Sequence, residues 1–139
     1  MKIFCSPVPQ SDVGKVWHLC KPLLKKATDR EGSRQNVEGL YGSVKSGSSC
    51  LWCIFIDDVV VGSATTEVNS YTEGKILRVS FLGGGRMELW LEKFIESLKE
   101  YGRFNGCNGI DLVGRKGWLR KLENFGFKQE PFVCMALAL

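Results

Sequence analysis

Gly83-Gly84-Gly85-Arg86 stands between an apolar run of strand formers and a segment of helical periodicity. Glycines delivered to a helix N-terminus can hold an anion. The first backbone N–H groups of a helix lack an acceptor within it, and the aligned peptide dipoles favour negative charge there. Arg86 adds a formal charge at the same place. The competing reading is a flexible connection in which the glycines serve only the turn. A second candidate chemistry is that of thiols, with cysteines at positions 5, 20, 50, 53, 107 and 134. Cys50-Leu-Trp-Cys53 has CxxC spacing, but it opens an apolar run and no second pair follows. His18 is the only histidine. A zinc site is therefore not expected, nor any other metal. In a strand, Cys50 and Cys53 would point to opposite faces. All six cysteines read as free, mostly buried small hydrophobes of a reducing compartment. Cys107 and Cys134 have no partner base in view, which leaves thiol catalysis without support. The third candidate is the group Arg115, Lys116, Arg120 and Lys121. With a net charge of +4 it admits an anionic partner. These residues spread around their helix, Glu123 interrupts them, and no aromatic-basic RNA-binding motif accompanies them, so nucleic acid is disfavoured.

At 139 residues the chain reads as one domain, 1–139, long enough to bury a core without staples. No apolar run approaches transmembrane length, and the first residues lack the apolar centre of a secretion signal. A cytoplasmic protein that does not enter membranes is expected. Residues 3–6 form a short strand stopped by Pro7 and Pro9. Ser11 or Asp12 then caps a helix carrying Val13, Val16, Trp17, Cys20 and Leu24 inward, which Pro22 should break or kink. Lys15, Lys21, Lys25 and Lys26 fall on its solvated faces. Residues 28–34 are a loop, and a second short helix turns Val37, Leu40, Tyr41 and Val44 inward before ending at Gly47.

The pattern then changes to an antiparallel meander. Residues 51–56 and 59–68 are strands joined by Asp57-Asp58, and 75–82 is a third. Beyond the glycines, Met87, Trp90, Leu91, Phe94, Ile95, Leu98 and Tyr101 mark the buried face of a long helix. Glu88, Glu92, Glu96 and Glu100 mark a solvated one. Residues 109–113 form a strand parallel to 75–82, since strand, helix and strand make a βαβ unit. A helix over 115–125 turns Trp118, Leu119, Leu122 and Phe125 inward and ends at Gly126. Residues 127–137 complete the chain as a last strand, with Pro131 at an edge or bulge.

The order β-α-α-β-β-β-α-β-α-β, closing on Asn124-Phe125-Gly126-Phe127, resembles the GNAT (Gcn5-related N-acetyltransferase) superfamily. Two further stretches, Gly106-Cys107-Asn108-Gly109-Ile110 and Gly114-Arg115-Lys116-Gly117-Trp118, look like small GNAT-like proteins of tailed bacteriophages. The implied fold is α/β (α+β), with a mixed central sheet of about six strands and about four flanking helices. In it an antiparallel meander joins a parallel, splayed pair. The resemblance implies acetyl-CoA or CoA as cofactor. The pyrophosphate would lie on Gly83, Gly84, Gly85 and Arg86, and the pantetheine arm beside Leu77 and Val79 of the splayed strand. It implies acyl transfer to an amine of a small molecule or protein. Glu67 is the first candidate general base, acting through water, and Asp111 the second; either also reads as an ordinary strand residue.

Two departures bear on catalysis. The family loop Q/R-x-x-G-x-G/A is absent, and Arg86 falls on its second glycine. Aligning the family's N-x-x-A-x-x-L-Y-x-x-x-G-F on Gly126-Phe127 puts Arg115 at the Asn, Trp118 at the Ala and Leu122 at the Tyr. That Tyr commonly protonates the leaving thiolate, and Leu122 has no proton to give. The alternative is a GNAT fold without catalysis, a phage protein in the host cytoplasm or virion that acts by binding a protein partner.

Overall fold

The computed structural model describes residues 1–30 and 32–139. Among them run β1 (Ile3–Pro7), a 3-10 turn (Gln10–Asp12), α1 (Val13–Thr28), α2 (Val37–Ser46), β2 (Cys50–Ile56), β3 (Val59–Tyr71), β4 (Gly74–Gly84), α3 (Met87–Phe104), β5 (Gly109–Leu112) and α4 (Gly117–Glu123). The strands form one sheet in the order β1-β2-β3-β4-β5. Three antiparallel joins are followed by a parallel one between β4 and β5. Among the described residues no helix is long and apolar enough to cross a membrane.

Local chemistry accounts for most boundaries. Asp57 and Asp58 both take positive φ (48° and 68°), so the two-residue β2–β3 turn follows the twist of its strands. The Asn36 side chain accepts the Gly39 N–H at 2.8 Å and caps α2, which ends where Gly47 turns left-handed. Pro22 does not break α1, which runs through it. The carbonyl that loses its donor belongs to His18, exposed like Pro22 itself, so water satisfies it.

Two apolar layers sandwich the sheet. Trp52, Ile54, Leu77, Val79 and Ala64 pack under Trp90, Phe94, Ile95 and Leu98 of α3. Leu51 and Cys53 pack on the other face with Val13, Cys20, Leu24, Leu40 and Val44 of α1 and α2. Cys50 joins the α3 layer and Cys53 the other, as strand alternation requires. The four glutamates along α3 are all exposed.

The end of the chain departs from expectation. The helix after β5 is shorter than residues 115–125, and Leu119 points outward at 40% exposure. Residues 127–137 form no strand, so the sheet has five strands rather than six. Apolar alternation gives a segment its β-propensity, but a strand also needs a neighbour to accept its hydrogen bonds. Phe132, Val133, Met135 and Leu137 remain exposed.

Candidate functional site

β4 changes neighbours halfway along. Ile76, Leu77, Arg78 and Val79 lie beside Gly109, Ile110, Asp111 and Leu112 of β5. At Val79 two events coincide. The register with β3 slips, so that Thr66 faces Val79 while Thr65 faces Phe81, and Ser80 is left as an extra residue. β5 also ends, at Leu112. A β-bulge bends its strand and raises the twist, so β4 turns away from β5 where their pairing stops. Residues 80–84 keep β3 on one side and, among the described residues, have no strand partner on the other.

A cleft of about 410 Å³ opens along this edge. Leu82, Gly83, Gly84 and Met87 line it from the strand and the start of α3. Lys26 and Arg30 face it from the end of α1, and Arg115, Trp118 and Lys121 from around α4. Among the described residues, four cations and no carboxylate converge on one hollow. None of the four is ion-paired among the described residues. Burial, reinforced by the neighbouring Arg115 charge, holds the Arg30 guanidinium below its ordinary pKa. Like charges gathered beside low-dielectric walls raise the local concentration of a polyanion.

The glycines serve packing first. A Cβ on Gly83 would lie 2.2 Å from the Leu23 carbonyl oxygen, so only glycine lets α1 approach β4 this closely. Gly84 has φ +148°, and its Cβ would lie 2.5 Å from the Val61 carbonyl oxygen. Gly85 donates its N–H to that same carbonyl at 3.1 Å and is open on its other side. Arg86 precedes α3 in a left-handed conformation (φ 57°, ψ 34°), unusual for a residue with a side chain. Trp90 fixes this turn by donating its indole N–H to the Gly85 carbonyl at 2.8 Å.

Next to the bulge a polar row crosses three strands. Glu67, Arg78 and Asp111 are register neighbours on β3, β4 and β5. Asp111 accepts two hydrogen bonds from Arg78, both at 3.0 Å, which engages its carboxylate and holds the Arg78 pKa up. Among the described residues Glu67 accepts only the Ser49 hydroxyl, at 3.3 Å, and is the less committed of the two carboxylates. Two positions along β3, Thr65 keeps a fully buried hydroxyl oxygen that has no partner among the described residues.

The residues expected at the site separate into groups. Gly83 and Gly84 line the cleft, Gly85 and Arg86 lie exposed at its end, and Glu67 sits on the strand behind it. Leu77 and Val79 belong to the paired half of β4 with side chains in the α3 core, so the open edge begins one residue later. Leu122 is also in that core, at 7% exposure. Trp118 stands at the cleft with its ring packed against Gly114 and the Lys121 ammonium 5.3 Å from the ring centroid. Lys26 and Arg30 were missing from the expected site. Their four-residue spacing at a helix end was the available signal, and nothing local ties them to Arg115.

No family model and no curated protein matches the sequence. Solved structures do match its fold. An aminoglycoside acetyltransferase from an uncultured soil metagenomic sample superposes with a TM-score of 0.75 at 14% identity, over 100% of this chain and 99% of that one. The aminoglycoside N-acetyltransferase AAC(6′)-Iy, in complex with CoA, gives 0.73 at 11% identity, over 99% and 95%. A GNAT family acetyltransferase of Staphylococcus aureus gives 0.68 at 16% identity, over 99% and 100%. The chain has the GNAT fold: a mixed α+β sheet with an antiparallel meander, one parallel pair and four helices.

Proposed function

We propose that the chain is an acyl-CoA-dependent N-acyltransferase that holds the phosphates of CoA in the basic cleft beside the open edge of β4. One observation carries the reading. A bulge frees residues 80–84 from β5 at the place where Lys26, Arg30, Arg115 and Lys121 converge without an ion pair among the described residues. The AAC(6′)-Iy structure, with CoA bound to the same fold, supports it. The donor set also fits: cations for phosphates, a free strand edge for an amide-bearing arm, and a helix N-terminus at Met87.

Acyl-CoA supplies an activated thioester carbonyl. The protein supplies the surroundings of the reaction. Free β4 N–H groups beyond Ser80 are donors for the developing oxyanion. Glu67, through water, takes the proton of the attacking amine. Leu122 is apolar and buried, so it would supply no proton to a leaving thiolate. The acceptor is an amine of a small molecule or a protein, met in the cytoplasm.

Titration calorimetry with CoA tests the reading. Binding is expected, weakened roughly ten-fold (about 1.4 kcal/mol) by Arg30→Ala or Arg115→Ala. Absence of heat at millimolar CoA would sink it. A second reading rests on Leu122 and Trp118: a GNAT-fold phage protein, in the host cytoplasm or virion, that binds without turning over. Its signature is the absence of acyl transfer to any amine offered, and CoA seated in the cleft counts against it.

A further inference from the structure

We propose that Cys20 and Cys53 are a dithiol that closes to a reversible disulfide with a hydroperoxide as oxidant, pinning α1 to the sheet. Their sulfurs lie 3.4 Å apart, across the packing of α1 on β2 and 33 positions apart in sequence. They are the only two thiols in contact among the described residues. Cys50, the CxxC neighbour of Cys53, is on the other face of the sheet. Cys5 lies in the α3 layer, and Cys134 is exposed at the end of the chain.

The environment gives the two sulfurs different roles. The Cys53 thiol stabilises negative charge on Cys20, whose pKa falls to about 7 against the cost of burial. The same interaction and burial push the Cys53 pKa up, so Cys53 keeps its proton. The Cys20 thiolate attacks one peroxide oxygen, the O–O bond breaks, and a sulfenic acid forms as hydroxide takes up the proton Cys20 released. The Cys53 sulfur then attacks the sulfenic sulfur, the S–S bond forms, and the sulfenic oxygen leaves as water with the Cys53 proton. In sum, two thiols are oxidised, one hydrogen peroxide is reduced, and two waters leave. Both sulfurs are buried (0% and 1% exposed), so the oxidant enters when α1 loosens from the sheet. Closing the bond to about 2.05 Å asks for a shift of little more than one ångström.

The consequence reaches the cleft. The last turns of α1 rest on Gly83 through the Leu23 carbonyl and carry Lys26, with Arg30 just beyond the helix end. A covalent tie at Cys20 removes the freedom of that wall to swing away. The bond also closes a long loop, which restricts the unfolded chain.

Peptide mapping of the intact chain without reduction, after hydrogen peroxide and alkylation of residual thiols, is the test. The expected result is a Cys20–Cys53 cross-linked peptide and a fall from six free thiols to four. Tm should rise by about 5 °C or more and return to its starting value with a thiol reductant. Recovery of Cys20 and Cys53 as alkylated thiols, or joined to other cysteines, overturns the proposal. A link without a rise in Tm overturns the pinning of α1.

Discussion

The two halves of β4 share one backbone and meet opposite surroundings. From Ile76 to Val79 the strand is paired on both sides, its Leu77 and Val79 side chains are in the core, and Arg78 has a carboxylate on each flanking strand. Beyond Ser80 it is built from Phe81-Leu82-Gly83-Gly84 and, among the described residues, is paired on one side and overlooked by cations without carboxylates. A single bulge separates a half that holds the domain together from a half that is free to bind. Charge follows the same division. Arg78 is paired with Asp111, whereas Arg30 and Arg115 have no ion-pair partner among the described residues.

Substitutions on either side of the bulge should therefore part company. The largest expected effect on stability comes from Leu77→Ala, fully buried in the paired half. Denaturant unfolding should record a loss of about 3 kcal/mol with CoA affinity nearly unchanged. Gly83→Ala should cost about 2 kcal/mol, since the new Cβ would force α1 away from the Leu23 contact. Because that movement displaces the wall bearing Lys26 and Arg30, this variant should also weaken CoA, and calorimetry would read both effects together. Asp111→Asn leaves Arg78 without its bidentate partner. The two side chains are 31% and 33% exposed, so solvent screens the pair and the expected loss is about 1 kcal/mol. Smallest is Arg115→Ala, which should stay within about 0.5 kcal/mol of the parent in stability while losing ligand. A loss of CoA affinity in Leu77→Ala as large as that in Arg115→Ala would erase the distinction between the two halves.

Much of this arrangement was legible from residue types. Period-two and period-3.6 patterns placed the meander, the long helix and the parallel strand, and the split of Cys50 from Cys53 followed from strand alternation. The glycine turn was recognised as a structural centre, but its physical reason was not. Gly83 and Gly84 answer to the Leu23 and Val61 carbonyls, contacts made across the fold that no local reading contains. Lys26 was read as solvated surface because helical periodicity shows which face is polar, not what stands opposite it. The bulge at Ser80 was equally hidden, since a register slip belongs to two strands together. Residues 127–137 show the reverse failure: a clear apolar alternation promised a strand that has no partner to pair with.

Amide hydrogen exchange along β4, with and without saturating CoA, tests the central claim most directly. Slowed exchange at amides among residues 80–86, with Ile76 to Val79 unchanged, is the predicted result. Protection that leaves 80–86 untouched, or no protection anywhere, would contradict the assignment of the open half of β4 as the CoA site.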